Sequence, residues 1–156
     1  MKQTIRYLML TMLVIVSAQD TSLSAKNIVV PKMYMFGFAA SFNDSIVHFT
    51  EIQAVDSVWI DQKNEFLLAR DNYSYQFRDF LADKLQMPHR TCVVIYGQDR
   101  QKLEKKYLKM RRIYTIGKKK AKKKDSADIQ SRNEIHDIAA TEFHFHTIDM
   151  SEPANE

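Results

Sequence analysis

The apolar positions of the chain change period several times, and each change marks a predicted element. Residues 33–42 (MYMFGFAASF) and 45–50 (SIVHFT) are aromatic and β-branched runs separated by Asn43-Asp44. Asn and Asp tolerate the positive φ of a tight turn, so the two runs predict a hairpin. Residues 19–30 read as a polar lead-in. Residues 57–60 (SVWI) predict a further short strand, and residues 65–70 are ambiguous between strand and helix.

From Tyr73 the period becomes helical. Tyr73, Phe77, Phe80, Leu81 and Leu85 line one face of a helix over residues 73–85, with Asn72 or Ser74 as its cap and Met87-Pro88 as its stop. A second helix is predicted over residues 100–114. Leu103, Tyr107, Met110 and Tyr114 recur at four, three and four, Asp99 is its cap, and Gly117 follows its end. Between the helices, residues 91–96 (TCVVIY) form an uninterrupted apolar run that predicts a buried central strand. A last strand is expected over residues 141–148, where Phe143 and Phe145 alternate with His144 and His146. The expected fold is α+β, a mixed or antiparallel sheet with two helices packed on one face.

The first residues have a different pattern. Lys2 and Arg6 precede an apolar run of ten, residues 7–16 (YLMLTMLVIV), and then Ser17-Ala18-Gln19-Asp20. Positive start, short apolar core and small-residue exit are the order of a secretory signal. A bilayer span needs about 20 apolar residues, more than this run supplies. Val16-Ser17-Ala18 suits signal peptidase, which places the mature start at Gln19; a cut after Ser24 or Ala25 is a second option. The expected organisation is a signal peptide over 1–18, one domain over 19–149 and a loose tail over 150–156. Cys92 is the only cysteine, so no internal disulfide forms and no lipid-bearing cysteine starts the mature chain. The expected location is the periplasm or cell surface, soluble or peripherally attached, and not as a lipoprotein.

Charge divides the chain. Residues 100–124 hold thirteen Lys and Arg against one acid, Glu104. The rest of the chain after Ala18 holds eight basic and eighteen acidic residues. The modest overall charge of +4 therefore hides a polarised molecule. Clustered cations displace counterions from phosphates, but export argues against nucleic acid. An anionic envelope lipid or glycolipid fits that compartment, at about 1 kcal/mol per cation near such a surface, and so does an acidic protein. The expected contact residues are Arg111, Arg112, Lys118, Lys119, Lys120, Lys122, Lys123 and Lys124. The bland alternative is a solvated helix face followed by a lysine-rich loop.

Candidate chemistry is sparse. His144 and His146 would share one side of a strand, and His136 is a further imidazole, so the three are the only metal-ligand candidates; a third ligand in reach is required. His89 and Cys92 invite a nucleophile–base reading, but a thiol in an apolar run is held neutral and inert. Asp44, Glu51, Asp56 and Asp61 are scattered, and the aromatic stripes have core spacing. Three glycines, Gly37, Gly97 and Gly117, make no phosphate-binding loop. No catalytic residue and no cofactor is expected.

Residues 33–53 (MYMFGFAASFNDSIVHFTEIQ), 70–85 (RDNYSYQFRDFLADKL) and 88–97 (PHRTCVVIYG) together resemble small exported proteins of unknown function from Bacteroidetes-type bacteria. The resemblance implies export and a single domain, and carries no functional residue over. The expected function is an exported accessory or binding protein that uses the basic segment 100–124 against an anionic envelope component or an acidic partner. The rival expectation is a small enzyme or a His-based metal-binding protein whose site assembles only in three dimensions.

Overall fold

A computed structural model describes residues 26–116 and 133–150. The expected leader, Lys118 to Lys124 and the end of the tail lie outside the described residues. The elements run β1 (Asn27–Ala40), β2 (Ile46–Thr50), β3 (Gln53–Asp61), α1 (Arg70–Leu85), β4 (Thr91–Gly97), α2 (Arg100–Ile116) and β5 (Glu134–Ile138). The fold is α+β: a five-stranded mixed sheet against which the two helices pack.

The predicted hairpin is present and longer than expected. β1 starts at Asn27, inside the polar lead-in, because β3 is available to pair with it as far as Asn27↔Asp61. β2 and β3 lie end to end on one edge of β1, antiparallel to it. Between the pairs Phe38↔Phe49 and Met35↔Gln53, two residues of β1 oppose three of the partner, so one residue is extra. Such a bulge bends the strand. Here Thr50 Oγ1 accepts the Gly37 N–H at 2.8 Å, and the Glu51 N–H turns outward to Ile138 O at 3.0 Å.

The placement of both helices on one face is corrected. Along β1, Met33, Met35 and Ala39 join the core that holds Tyr73, Phe77 and Leu81 of α1. The alternate residues, Phe36 and Phe38, join the core that holds Leu103 of α2, with Tyr107 and Tyr114 against it. Successive strand residues point to opposite faces, so the helices cover opposite faces. Connectivity explains this. β2, β3, β4 and β5 all run antiparallel to β1 or parallel to β2 and hence in one direction. The α1 crossover travels from β3 past β1 to β4, and the α2 crossover travels back past β1 and β2 to β5. Opposite travel with one hand of crossover demands opposite faces.

Three local expectations also change. β4 pairs only with β1 among the described residues and is an edge strand, with Thr91 and Val93 exposed. Its apolar composition reflects helices on both of its faces, which a run of side chains does not distinguish from strands on both of its edges. The N-cap of α1 is Ala69, at φ 52° and without a side-chain cap, rather than Asn72 or Ser74. Residues 65–70 resolve into a bridge at Leu67↔Ile60 and this cap. The C-terminal end is a Schellman-type closure, with Gln86 at φ 57° and the Met87 N–H donating to Leu81 O at 2.9 Å. The Asp99 cap of α2 holds, with the Lys102 N–H donating to Asp99 Oδ1 at 3.1 Å.

The strand expected over 141–148 is an extended arm without a ladder; the strand of this region is β5, further upstream. Alternation is real, since Phe143 and Phe145 are buried while His144 and His146 are exposed. Its backbone partners are side-chain amides. Gln53, buried, donates to Phe143 O at 2.7 Å and accepts the Phe145 N–H at 2.9 Å. Gln76 on α1 does the same to both groups of His146, at 2.9 Å each. Thr147 Oγ1 donates to Asp56 O at 2.7 Å. The arm thus closes the seam between β3 and α1, stacking Phe143 and Phe145 on Phe77, Phe80 and Tyr73.

Candidate functional site

Helix α2 builds the basic face. Leu103, Tyr107, Met110 and Tyr114 anchor it on Phe36, Phe38 and Phe49 of the sheet. Lys102, Lys105, Lys109 and Arg112, spaced by three, four and three, then fall in one line on the solvent side, and all four are exposed. Lys102 lies 3.7 Å from Asp99. Among the described residues no ion pair holds Lys105, Lys106, Lys109 or Arg112.

Arg111 is placed differently from Arg112. Its guanidinium pairs two-pronged with the Asp137 carboxylate on β5 and donates to Tyr107 Oη at 3.1 Å. The bonds to Asp137 raise its already high pKa. Arg111 therefore ties α2 to β5, while Arg112 faces solvent. Of the other expected contact residues, the six lysines of 118–124 lie outside the described residues.

The histidines separate into two places. His144 and His146 are exposed on the arm, with ring centroids 6.2 Å apart. His136 is on β5, where Nε2 lies 2.8 Å from Glu134 Oε1 and the ring stands edge-on to His48 at 5.4 Å. Among the described residues no three His, Cys, Asp or Glu groups gather closely enough to hold a metal ion.

One cluster was not singled out as a site by the sequence. Cys92, Ala39, His48 and His136 follow one another across β4, β1, β2 and β5 in register. His48 is 1% exposed and neither ring nitrogen has a hydrogen-bond partner. Burial, then the Arg90 and His136 charges, push its pKa down to about 4 against the pull of Asp44. Arg90 is itself buried. It grips Asp44 through both guanidinium nitrogens, at 2.9 and 2.7 Å, and donates to Ile46 O at 2.7 Å. The Asp44 carboxyl is held below its usual range, first by the Ile46 N–H. Burial pushes the Cys92 thiol up to about 11, so it is not a thiolate at neutral pH, and His89 is exposed to solvent. Hydrophobic spacing does not reveal this cluster, because Arg90 lies in a loop 46 residues from Asp44.

Of the other candidate carboxylates, Glu51 accepts the Ala140 N–H, 89 residues away in the chain, and Asp61 accepts those of Lys63 and Asn64. Among the hollows on the surface of the described residues, three flank the sheet. The largest, about 590 Å³, lies where β4 meets α2 and includes Phe66, Ile95, Gly97 and Leu103. A second, about 330 Å³, lies by the hairpin tip among Phe38, Phe42, Val93 and Tyr114. A third, about 460 Å³, lies at the start of α1. His48 lines none of these three. No described helix is long and apolar enough to cross a membrane. No family model, curated protein or solved structure matches the chain.

Proposed function

We propose that the protein is exported and works by binding, presenting the outward face of α2, continued by the lysines of 118–124, to an anionic envelope component or an acidic partner. The supporting observation is the line Lys102, Lys105, Lys109 and Arg112, exposed along a helix whose opposite face is packed on the sheet. The core uses none of these four head groups. Exposed charges contribute little to stability, whereas a row of like charges dominates salt-sensitive association.

The test is co-sedimentation with vesicles of phosphatidylglycerol and phosphatidylcholine, and with an acidic polypeptide, at low and high salt. The wild type is expected to bind one of them at low salt and to leave it at high salt. Glutamine at Lys105, Lys109, Arg112 and the six lysines of 118–124 is expected to abolish that binding without changing the melting temperature by more than a few degrees. A wild type that binds neither probe at low salt overturns the reading. Mass spectrometry of the protein from its native cell tests export, with Gln19 as the expected first residue and an intact Met1 as the opposing result.

A further inference from the structure

We propose that the outer edge of β4 pairs with the same edge of a second copy of this chain, strand against strand in antiparallel sense, to give a dimer with one continuous sheet. β1 occupies one edge of β4, and no strand occupies the other among the described residues. An unpaired edge presents a row of backbone N–H and C=O groups that template further pairing. Folded proteins guard such edges with charge, proline, a bulge or short length.

The open edges of this sheet, among the described residues, differ in that respect. β3, paired with no strand but β1, carries Asp56 and Asp61 and has Ser57 at φ 55°. β5 is five residues long and places Glu134, His136 and Asp137 among them. β4 is seven residues long, TCVVIYG, without a charge or a proline. Val93, in its middle, is 42% exposed. Among the described residues, β4 is therefore the open edge without protection.

The character of the flank selects a second copy as the occupant. An antiparallel pair about a twofold axis near Val94 sets an uncharged strand against an uncharged strand, so no like charges meet. His89 and Asp99 lie five residues either side of Val94, just beyond the two ends of β4, so the same register sets His89 of each copy opposite Asp99 of the other. Phe42 projects fully into solvent by Thr91 and Val93, at one end of β4. The 590 Å³ hollow, lined by Ile95, Gly97, Leu103 and the exposed Phe66, lies at the other end. Antiparallel pairing brings Phe42 of each copy to the hollow of the other, a reciprocal fit of the kind twofold interfaces require. This inference is independent of the basic face of α2.

The test is sedimentation equilibrium of the purified chain, with hydrogen exchange read at the β4 amides. The wild type is expected to be dimeric at micromolar concentration, with β4 amides whose protection rises as the protein is concentrated. Val93→Lys, which places a charge on the edge, is expected to weaken the dimer at least about tenfold. Phe42→Ser is expected to weaken it by several-fold, and since Phe42 touches no core, its fold is a control. A wild type that stays monomeric at roughly 100 μM, about a hundredfold above micromolar affinity, overturns the proposal. So does a dimer that both substitutions leave unchanged. Strong β4 protection that is independent of concentration overturns it too, by assigning the edge to another part of the same chain.

Discussion

The two faces of the sheet are each covered by one helix, yet they are closed by different chemistry. On the α1 face a large core is sealed by the arm of residues 141–148, and its polar interior is Gln53, His48 and Arg90. On the α2 face a smaller aromatic core lies under a helix whose outer line is all cations. Buried polar groups are costly unless each finds a partner, so the first face is sensitive to single atoms. Exposed cations are nearly neutral to folding, so the second face is free to vary with function. Stability therefore rests more on the α1 side of the molecule than on the outer line of α2.

The largest loss of stability is expected from Gln53→Ala. It removes two hydrogen bonds and leaves the Phe145 N–H and the Phe143 carbonyl buried without partners, at a cost of about 3 kcal/mol. Gln76→Ala makes the same deletion at the exposed end of the arm, where water replaces the amide, and is expected to cost about 1 kcal/mol. Urea melts of the two variants measure the difference. Equal costs would mean that burial does not govern the arm.

Acid tests the same face through His48. The ordinary value of 6.5 applies to the unfolded chain and about 4 to the folded one, so the unfolded state binds the extra proton between them. Stability from this group is complete above pH 6.5 and falls as pH drops towards 4, by roughly 3 kcal/mol at most. Asp44 acts in a separate window: its lowered pKa contributes stability that is lost only below about 3.8. Melts between pH 7 and 4 are expected to lose their slope in His48→Phe. A slope that survives the substitution would place the acid sensitivity elsewhere.

Gly37 probes how closely α1 sits on the sheet. A Cβ there would lie 2.7 Å from the Phe77 ring, inside contact distance, so Gly37→Ala must displace the ring and is expected to cost about 2 kcal/mol. The smallest effect belongs to the other face. Glutamine at Lys105, Lys109 and Arg112 is expected to change stability by less than about 0.5 kcal/mol. A larger loss in thermal melts would show that the display face also holds the fold.

Much of this division was legible in the chain, and the misreadings have specific physical causes. Period located both helices, because a one-sided burial pattern is local and repeats within a few residues, and the Asn43-Asp44 break between two β-rich runs located the hairpin, although neither residue takes a positive φ. The helical period placed Leu103, Tyr107, Met110 and Tyr114 inward and Lys102, Lys105, Lys109 and Arg112 outward, as found, while Arg111 turns to Asp137. β5 was missed because EIHDI is five residues long, alternates weakly and lies at an edge of the sheet, paired with β2 alone among the described residues. The arm was read as a strand because its side chains alternate as a strand's do. Its backbone is satisfied by Gln53 and Gln76, which lie 90 and 70 residues away in the chain.

The chain by itself determined the α+β class, the positions of α1, α2 and β4, and the segregation of charge along α2. Each depends on neighbours within one or two turns or on composition. Only the tertiary structure decided which face each helix covers, that β4 stands at an edge, that Arg111 serves Asp137 while Arg112 faces solvent, and that His48 is buried beside Arg90. Those outcomes depend on which strands lie side by side. Pairing joins residues far apart in sequence, and its choice rests on crossover handedness and on long-range closure, neither of which leaves a local period.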